Sequence, residues 1–193
     1  MGERTLDRAS ARDRLLAAAT ELFYREGVRS VGIDRVIEHA GVAKGSLYNA
    51  FGSKEELIRA YLEGRHTRTR ERMARELATR FRTPRERLVG VFEVQGMTFT
   101  EPDFCGCAFV GASAQSEPGG AVEQVSEDYR TWVRSLFLDL AYAAEAPDPE
   151  TLARQLVLLY DGAGISAWMD HDPDAAKASA AAAATLVDAA FAA

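Results

Sequence analysis

Apolar residues recur every three to four positions through the first part of the chain, which is the period of an amphipathic helix. A first helix is predicted between Ser10, a residue type that caps helix N-termini, and Gly27, a type that follows helix C-termini. Its apolar stripe is formed by Leu15, Ala19, Leu22 and Phe23. A second, shorter stripe ends at Gly41, and a third short helix ends at Gly52. The pattern therefore predicts three short helices before residue 53.

The rest of the chain is also predicted to be helical. Ser53 and Glu56 have the spacing of a capping box, so a long fourth helix is expected over about 54–82. Further helices are expected near residues 85–100, 105–115, 119–145, 149–168 and 173–191. The linkers between them contain Pro102, Pro118, Pro147, Pro149 and Pro173. We expect an all-α fold of about nine helices, with a small domain over residues 1–53 and a larger one over residues 54–193.

Composition agrees with a helical, globular protein. Hydrophobic residues make up 47% of the 193 residues and charged residues 27%, so the chain can bury a core. Charged side chains interrupt the first 25 residues throughout, and the longest apolar run, residues 178–187, is too short to span a bilayer. We therefore expect a cytoplasmic protein with no membrane partner.

The two parts of the chain differ in charge. Residues 1–82 contain 17 Lys and Arg against 12 Asp and Glu, a net charge of +5, whereas residues 83–193 carry −11. A basic N-terminal part favours contact of that part with a polyanion. The arginines of residues 65–82 have a simpler interpretation, because Glu71–Arg75 and Glu76–Arg80 have the spacing of ion pairs on a solvated helix face. We favour the solvated face over phosphate contact for that stretch.

Residues 32–51 carry the most informative pattern. Two short helices joined by a tight turn at Gly41 predict a helix-turn-helix, whose second helix can lie in the major groove of DNA. Lys44 and Ser46 supply hydrogen-bond donors on that helix, and Asn49 can bond bidentately to an adenine edge. Gly45 lets the backbone approach the DNA closely. The N-terminal domain is thus predicted to bind double-stranded DNA.

Residues 40–48 (AGVAKGSLY), followed by Phe51 and by residues 53–57 (SKEEL), closely resemble the signature of TetR-family transcriptional regulators. Residues 21–27 of the first helix match that family too, and the resemblance extends over roughly residues 10–62. It implies an N-terminal three-helix helix-turn-helix DNA-binding domain. It also implies a larger C-terminal helical domain for ligand binding and dimerisation, connected to the first by helix four.

The resemblance assigns DNA contacts position by position. It implies groove or phosphate contacts by Gly32, Lys44, Gly45, Ser46, Tyr48, Asn49 and Lys54. Gly32 stands where the family usually has Ser or Thr, so only its backbone N–H can reach a phosphate. For Tyr48 a packed core position is the alternative. Asn49 and Ala50 replace a residue pair that is frequent in the family, which leaves the operator sequence open.

The resemblance further implies a repressor that leaves a palindromic operator when a small-molecule effector binds the larger domain. A homodimer is expected through the last two long helices, which are apolar and rich in small residues. Within them, Gly162 and Gly164 are expected at a close helix approach or a pocket wall. The effector is expected to be hydrophobic or aromatic. Candidate pocket residues, each with an ordinary core position as its alternative, are Tyr61, Phe92, Gln95, Phe99, Phe109, Tyr129, Trp132, Tyr160 and Trp168.

Other chemistries have little support in the sequence. Cys105 and Cys107 could form a thiol redox sensor. The simpler interpretation is that they are two small buried residues near the start of a helix. His39, His66 and His171 are scattered, so no metal or other cofactor is expected. Phosphate-loop, zinc-protease and nucleophile-elbow motifs are missing, so we expect no enzyme. The remaining alternative is a helical ligand-binding protein or enzyme with a vestigial helix-turn-helix.

Overall fold

The computed structural model describes residues 9–116, 119–172 and 174–192, and every regular element in these ranges is an α-helix. The helices are α1 (Ala11–Glu26), α2 (Ile33–Ala40), α3 (Lys44–Phe51), α4 (Lys54–Arg80), α5 (Pro84–Phe99), α6 (Ala108–Ser113), α7 (Ala121–Ala143), α8 (Pro149–Met169) and α9 (Ala175–Ala192). The predicted all-α fold with about nine helices is confirmed for this part of the chain. The linker residues Glu117, Pro118 and Pro173 lie outside the described residues.

The predicted helix termini agree with the structure except at α6. Ser10 and Asp13 cap α1 reciprocally, and Gly27 ends it with φ +87°. A helix over residues 105–115 is wrong, because Gly106 has φ +82°, which lies outside the helical region, and α6 begins only at Ala108.

The described residues up to Gly64, together with those of Gly111–Val125, form one compact unit. In this first unit α1 packs against α2 and α3, and its core includes Leu15, Val36 and Leu47, each 0% exposed. The start of α4 belongs to the same unit through Leu57 and Leu62, which are also fully buried. The domain boundary at residues 53 and 54 stays a prediction.

The second unit comprises the described residues of Arg65–Val110 and Ser126–Ala193. Here α5 packs along both α9 and α8, and α8 packs along α9. Phe92 and Phe137 are 0% exposed, with ring centroids 5.7 Å apart. Gly96 lies where α5 meets α9, and a Cβ there would overlap the Cβ of Ala176. Small residues at this crossing therefore permit the close approach of the two helices.

Ion pairs on the arginine-rich part of α4 differ from those predicted. Arg80 pairs with Glu93 of α5 at 2.8 Å rather than with Glu76, which lies 3.4 Å from Arg75. Arg72 reaches Glu101 at 2.7 Å and also donates to Thr98. The arginines of α4 therefore join it to α5, a long-range packing that i,i+4 spacing alone does not reveal.

One helix of the described residues, α9, is long and apolar enough to cross a membrane by length and composition alone. Its mean hydropathy of 1.2 comes largely from alanine, and 22% of it is buried within the chain. A single helix of this kind is weak support for a membrane span.

Candidate nucleic-acid interface and aromatic cluster

The turn between α2 and α3 is held by backbone and side-chain hydrogen bonds. Gly41 adopts the left-handed conformation (φ +61°) and its N–H bonds to carbonyl oxygens at the end of α2. The N–H of Val42 donates to Ile37 O at 3.3 Å, and the guanidinium of Arg14 donates to Gly41 O at 3.2 Å. Glycine suits this position because L side chains rarely adopt such a φ. The turn thereby fixes the direction in which α3 leaves α2.

One face of α3 is buried and the opposite face is open to solvent. Leu47 is 0% exposed, whereas Lys44, Gly45, Tyr48 and Asn49 are all exposed, Tyr48 to 46%. Their spacing of i, i+1, i+4 and i+5 places these four on a single helix face. Two of the four, a lysine and an asparagine, carry the donors that read major-groove base edges. Four of the predicted contact residues therefore lie together, whereas Ser46 is half-buried at the edge of this face. Tyr48 is not a core residue.

Lys44 has a partner that the sequence did not indicate. Its Nζ lies 2.9 Å from Asp34 Oδ1 on α2, and the two side chains are 63% and 83% exposed. The hydrogen bond and the attraction of Asp34 raise the pKa of Lys44 above its ordinary value. An exposed pair of this kind contributes little to stability. Lys44 is thus a charged donor that can exchange Asp34 for a phosphate or a base edge.

The two flanking candidates occupy helix N-termini. Gly32 is the exposed N-cap of α2 and has no side-chain cap. Apart from its chain neighbours, no described residue lies within 4 Å of where a Cβ of Gly32 would be. Lys54 is the half-buried first residue of α4, and partial burial lowers its pKa. Ser53 Oγ accepts the N–H of Glu56 at 3.1 Å, which is one of the two hydrogen bonds of the predicted capping box, while the Glu56 carboxylate pairs with Arg59. Both helix starts present the positive end of a helix dipole, which favours an anion.

A cluster of four rings occupies the second unit, and we call it the aromatic cluster: His66, Phe109, Tyr129 and Trp132. Phe109 stacks on Tyr129 with centroids 3.9 Å apart and an interplanar angle of 4°. His66 lies 5.5 to 6.3 Å from the other three rings. Burial and the neighbouring Arg70 lower the pKa of His66, so its imidazole is neutral at pH 7. The cluster is thus aromatic throughout, and three of its members, His66, Tyr129 and Trp132, also carry polar atoms.

Two tyrosine hydroxyls meet beside the aromatic cluster. The hydroxyl oxygens of Tyr129 and Tyr160 are 3.4 Å apart. Burial raises the pKa of Tyr160 to about 12 and that of Tyr129 well above its ordinary value, so both phenols stay neutral. Nearby, Arg130 and Asp161 form an ion pair at 2.5 Å and compensate each other's charge. The region therefore has hydrogen-bonding groups without net charge.

Two buried polar atoms here have no hydrogen-bond partner among the described residues: Nε2 of His66 and Oε1 of Gln95. Gln95 uses its other polar atom, Nε2, to donate to the backbone carbonyl of Tyr160 at 2.9 Å. Buried polar atoms without a partner are uncommon and call for an explanation. A ligand or water that bonds to them would supply one.

The structure brings together six of the nine candidate pocket residues: Phe92, Gln95, Phe109, Tyr129, Trp132 and Tyr160. The other three pack elsewhere. Tyr61 contacts Phe23 in the first unit, and Phe99 contacts Phe104. Trp168 is 51% exposed and lies against Gly106.

Sequence reasoning missed His66, although it falls four residues after the buried Leu62 and so on the inner face of α4. That spacing could have identified it.

The two cysteines carry thiols rather than a disulfide. Cys107 immediately precedes α6, a helix of six residues. Although the residue reaches the surface, removal of its thiol from water raises the pKa of Cys107, and backbone N–H groups of α6 offset only part of this effect. A raised pKa opposes thiolate formation, so Cys107 lacks the activation that a thiol sensor needs.

Three packed helices, the third of which exposes hydrogen-bond donors to solvent, are the arrangement of a helix-turn-helix DNA-binding protein. Residues 15–61 match the family model described as bacterial regulatory proteins, tetR family. A solved structure of a TetR transcriptional regulator from Streptomyces avermitilis is 35% identical, with 95% of this chain and 99% of that chain covered and a TM-score of 0.82. The chain belongs to the TetR family of DNA-binding transcriptional regulators.

Curated relatives match only part of this chain. The HTH-type transcriptional activator FasR of Mycolicibacterium smegmatis is 43% identical over 58 residues, 30% of this chain and 26% of that protein. The HTH-type transcriptional repressor KstR2 of Mycobacterium tuberculosis is 35% identical over 87 residues, 43% of this chain and 41% of that protein. The chain thus spans less than half the length of these relatives, one of which activates and one of which represses.

Proposed function

We propose that the protein is a cytoplasmic, homodimeric repressor that leaves a palindromic operator when a small hydrophobic or aromatic molecule binds. In this proposal residues 1–53 bind DNA, and residues 54–193 bind the effector and dimerise. The observation that carries it is the open face of α3, where Lys44 and Asn49 lie above the buried Leu47. Twofold symmetry would place two α3 helices in major grooves about 34–36 Å apart, which requires a palindromic operator.

Asn49 provides the test of base reading. Duplexes selected from a random-sequence library by the wild-type protein should be palindromic, with half-sites about one helical turn apart. Asn49→Ala should weaken binding to the selected operator by about 1–3 kcal/mol and relax discrimination at one base pair in each half-site. Fluorescence anisotropy titration against duplexes substituted at each position measures both effects. The variant should also repress a reporter under that operator less than the wild type does.

Lys54→Ala is the matched control for Asn49→Ala, because a phosphate contact carries no sequence information. It should weaken binding to all duplexes alike and reduce the dependence of affinity on salt. An Asn49→Ala protein that loses the same affinity on every sequence would contradict base reading by Asn49. Wild-type protein that selects no sequence at all would contradict the proposed function.

The effector would contact the aromatic cluster. The rings of Phe109, Tyr129 and Trp132 offer stacking surface, while His66 Nε2 and Gln95 Oε1 are buried polar atoms that a ligand could engage. The imidazole of His66 and the phenols are neutral, and the charges of Arg130 and Asp161 compensate each other. The two charged side chains that act on His66, Arg70 and Asp128, are of opposite sign, so the cluster has no net charge that would favour an ion. This chemistry favours a neutral aromatic molecule with at least one hydrogen-bonding group.

N-Phenyl-1-naphthylamine, a neutral aromatic fluorophore with one N–H donor, is a suitable probe of this surface. We expect its emission to rise on binding and Trp132 to transfer excitation energy to it. Phe109→Ala removes the ring that stacks on Tyr129, so it should weaken probe binding by about tenfold, since aromatic contacts contribute about 0.5–1.5 kcal/mol beyond buried area. Phe104→Ala, outside the cluster, is the control and should leave the affinity unchanged. Equal weakening in both variants would contradict a site at the cluster.

A further inference from the structure

The stretch that follows α6 contacts the helix-turn-helix part of the first unit at two points. Gln115 Oε1 accepts the backbone N–H of Arg29 at 3.0 Å. The backbone N–H of Ala121, the first residue of α7, donates to Glu55 Oε1 at 3.0 Å. Arg29 lies in the turn between α1 and α2, and Glu55 lies in the first turn of α4. The end of α6 and the start of α7 therefore each contact a segment next to the helix-turn-helix, whose second helix, α3, we call the reading helix.

Gly27 makes the first of these contacts possible. A Cβ at this position would lie 2.8 Å from both terminal atoms of the Gln115 side chain, and its φ of +87° also disfavours other residues. The amide of Gln115 therefore rests directly on the backbone of the turn. A side chain in such contact is fixed by packing as well as by its hydrogen bond to Arg29.

Gln115 is joined to α6 by backbone hydrogen bonds, because it lies in the turn that continues this helix. Its N–H donates to Ala112 O at 3.1 Å, and that of Ser116 donates to Ser113 O at 3.3 Å. Phe109, six residues earlier on the same short helix, stacks on Tyr129 in the aromatic cluster. Phe109 of the aromatic cluster therefore lies near the start of α6. Gln115, which accepts the N–H of Arg29 in the α1–α2 turn, lies just after its end.

We propose that Gln115 is a positioning residue that couples α6 to the helix-turn-helix, with Glu55 as a second tie. A ligand that repositions Phe109 would displace α6 and, through Gln115, the turn that sets the orientation of α2. This inference rests on the proposed function. Coupling between two sites is reciprocal, so DNA binding must in turn alter α6. The coupling can therefore be tested with DNA alone.

The experiment compares amide hydrogen exchange of the free protein with that of its complex with the selected operator duplex. In the wild type, DNA should slow exchange both in residues 44–49 and in residues 108–116. In Gln115→Ala, the Arg29 amide should exchange at least several-fold faster in the free protein, because it loses its acceptor. The response of residues 108–116 to DNA should fall to less than half, while residues 44–49 stay protected.

Two further variants separate positioning from a general structural role. Gln115→Glu keeps an acceptor oxygen for Arg29 and should restore the response of residues 108–116. Asp139→Ala, a truncation at an exposed residue of α7 in the second unit, should behave as the wild type. An unchanged response in Gln115→Ala, with a normal DNA complex, would overturn the coupling and leave the proposed function intact. No wild-type complex with any duplex would overturn the proposed function and the coupling with it.

Discussion

Replacing Leu47 by alanine should lower the free energy of unfolding of the first unit by about 2–5 kcal/mol, the usual cost of truncating a buried leucine. Leu47 is 0% exposed and is the only fully buried side chain of α3 in the described residues. The helix spans eight residues, too few to be stable without tertiary packing. Loss of this anchor should therefore release α3 from α1 and abolish measurable operator binding.

The neighbouring residue supplies the control for Leu47→Ala. Tyr48 is 46% exposed on the opposite face, so Tyr48→Ala should change stability by no more than about 0.5 kcal/mol while still weakening DNA binding. Hydrogen exchange of the α2 and α3 amides measures the stability of the first unit separately from that of the second. If Leu47→Ala and Tyr48→Ala show equal protection of these amides, Leu47 does not anchor the reading helix.

This pair of residues also shows why the DNA-binding part could be predicted from sequence. The buried and open faces of α3 follow from a spacing of three and four, and the turn at Gly41 follows from a requirement for positive φ. Both are local properties, fixed within a few residues along the chain. Local rules likewise placed the caps at Ser10 and Ser53. Helices with a regular apolar period and a capping residue or glycine at their ends were therefore predicted correctly.

Residues that act through long-range contacts could not be predicted in this way. Asp34 meets Lys44 across ten residues, and Gln115 meets Arg29 across 86. Neither pair has a sequence pattern, since each depends on how separate helices pack. The aromatic cluster illustrates the same limit: residue type suggested Phe109 and Tyr129, but also Tyr61 and the other candidates that pack elsewhere. Residue chemistry predicts which side chains could bind a ligand, and packing decides which of them meet.

One face of α8 exposes a row of large apolar side chains. Leu158, Ile165 and Met169 are 69%, 48% and 66% exposed, and their spacing places them on one face of the helix. Gly162 lies on that face too, and among the described residues nothing beyond its own turn of helix lies within 4 Å of where its Cβ would be. A row of exposed large apolar residues beside a glycine suits close packing of another helix. A second copy of α8 is the partner expected for the proposed homodimer.

Substituting arginine at both Leu158 and Ile165 should convert the dimer to a monomer. Twofold symmetry brings each new charge into the interface twice, where burial without a partner is strongly unfavourable. Because the two reading helices would no longer be linked, affinity for the full palindrome should fall by about 10²–10⁴, the range that bivalent binding adds. Analytical ultracentrifugation measures the first effect, and titration with full and half-site duplexes measures the second.

Half-site binding distinguishes loss of the dimer from loss of the fold. Since the α3 surface is untouched, the monomeric variant should bind an isolated half-site as the wild-type protomer does. Tyr142→Arg, at a residue of α7 that is 56% exposed, is the matched control and should remain dimeric with full operator affinity. A Leu158→Arg/Ile165→Arg protein that sediments as a dimer would place the interface elsewhere. Tyr142→Arg protein that sediments as a monomer would point to the surface around Tyr142 instead.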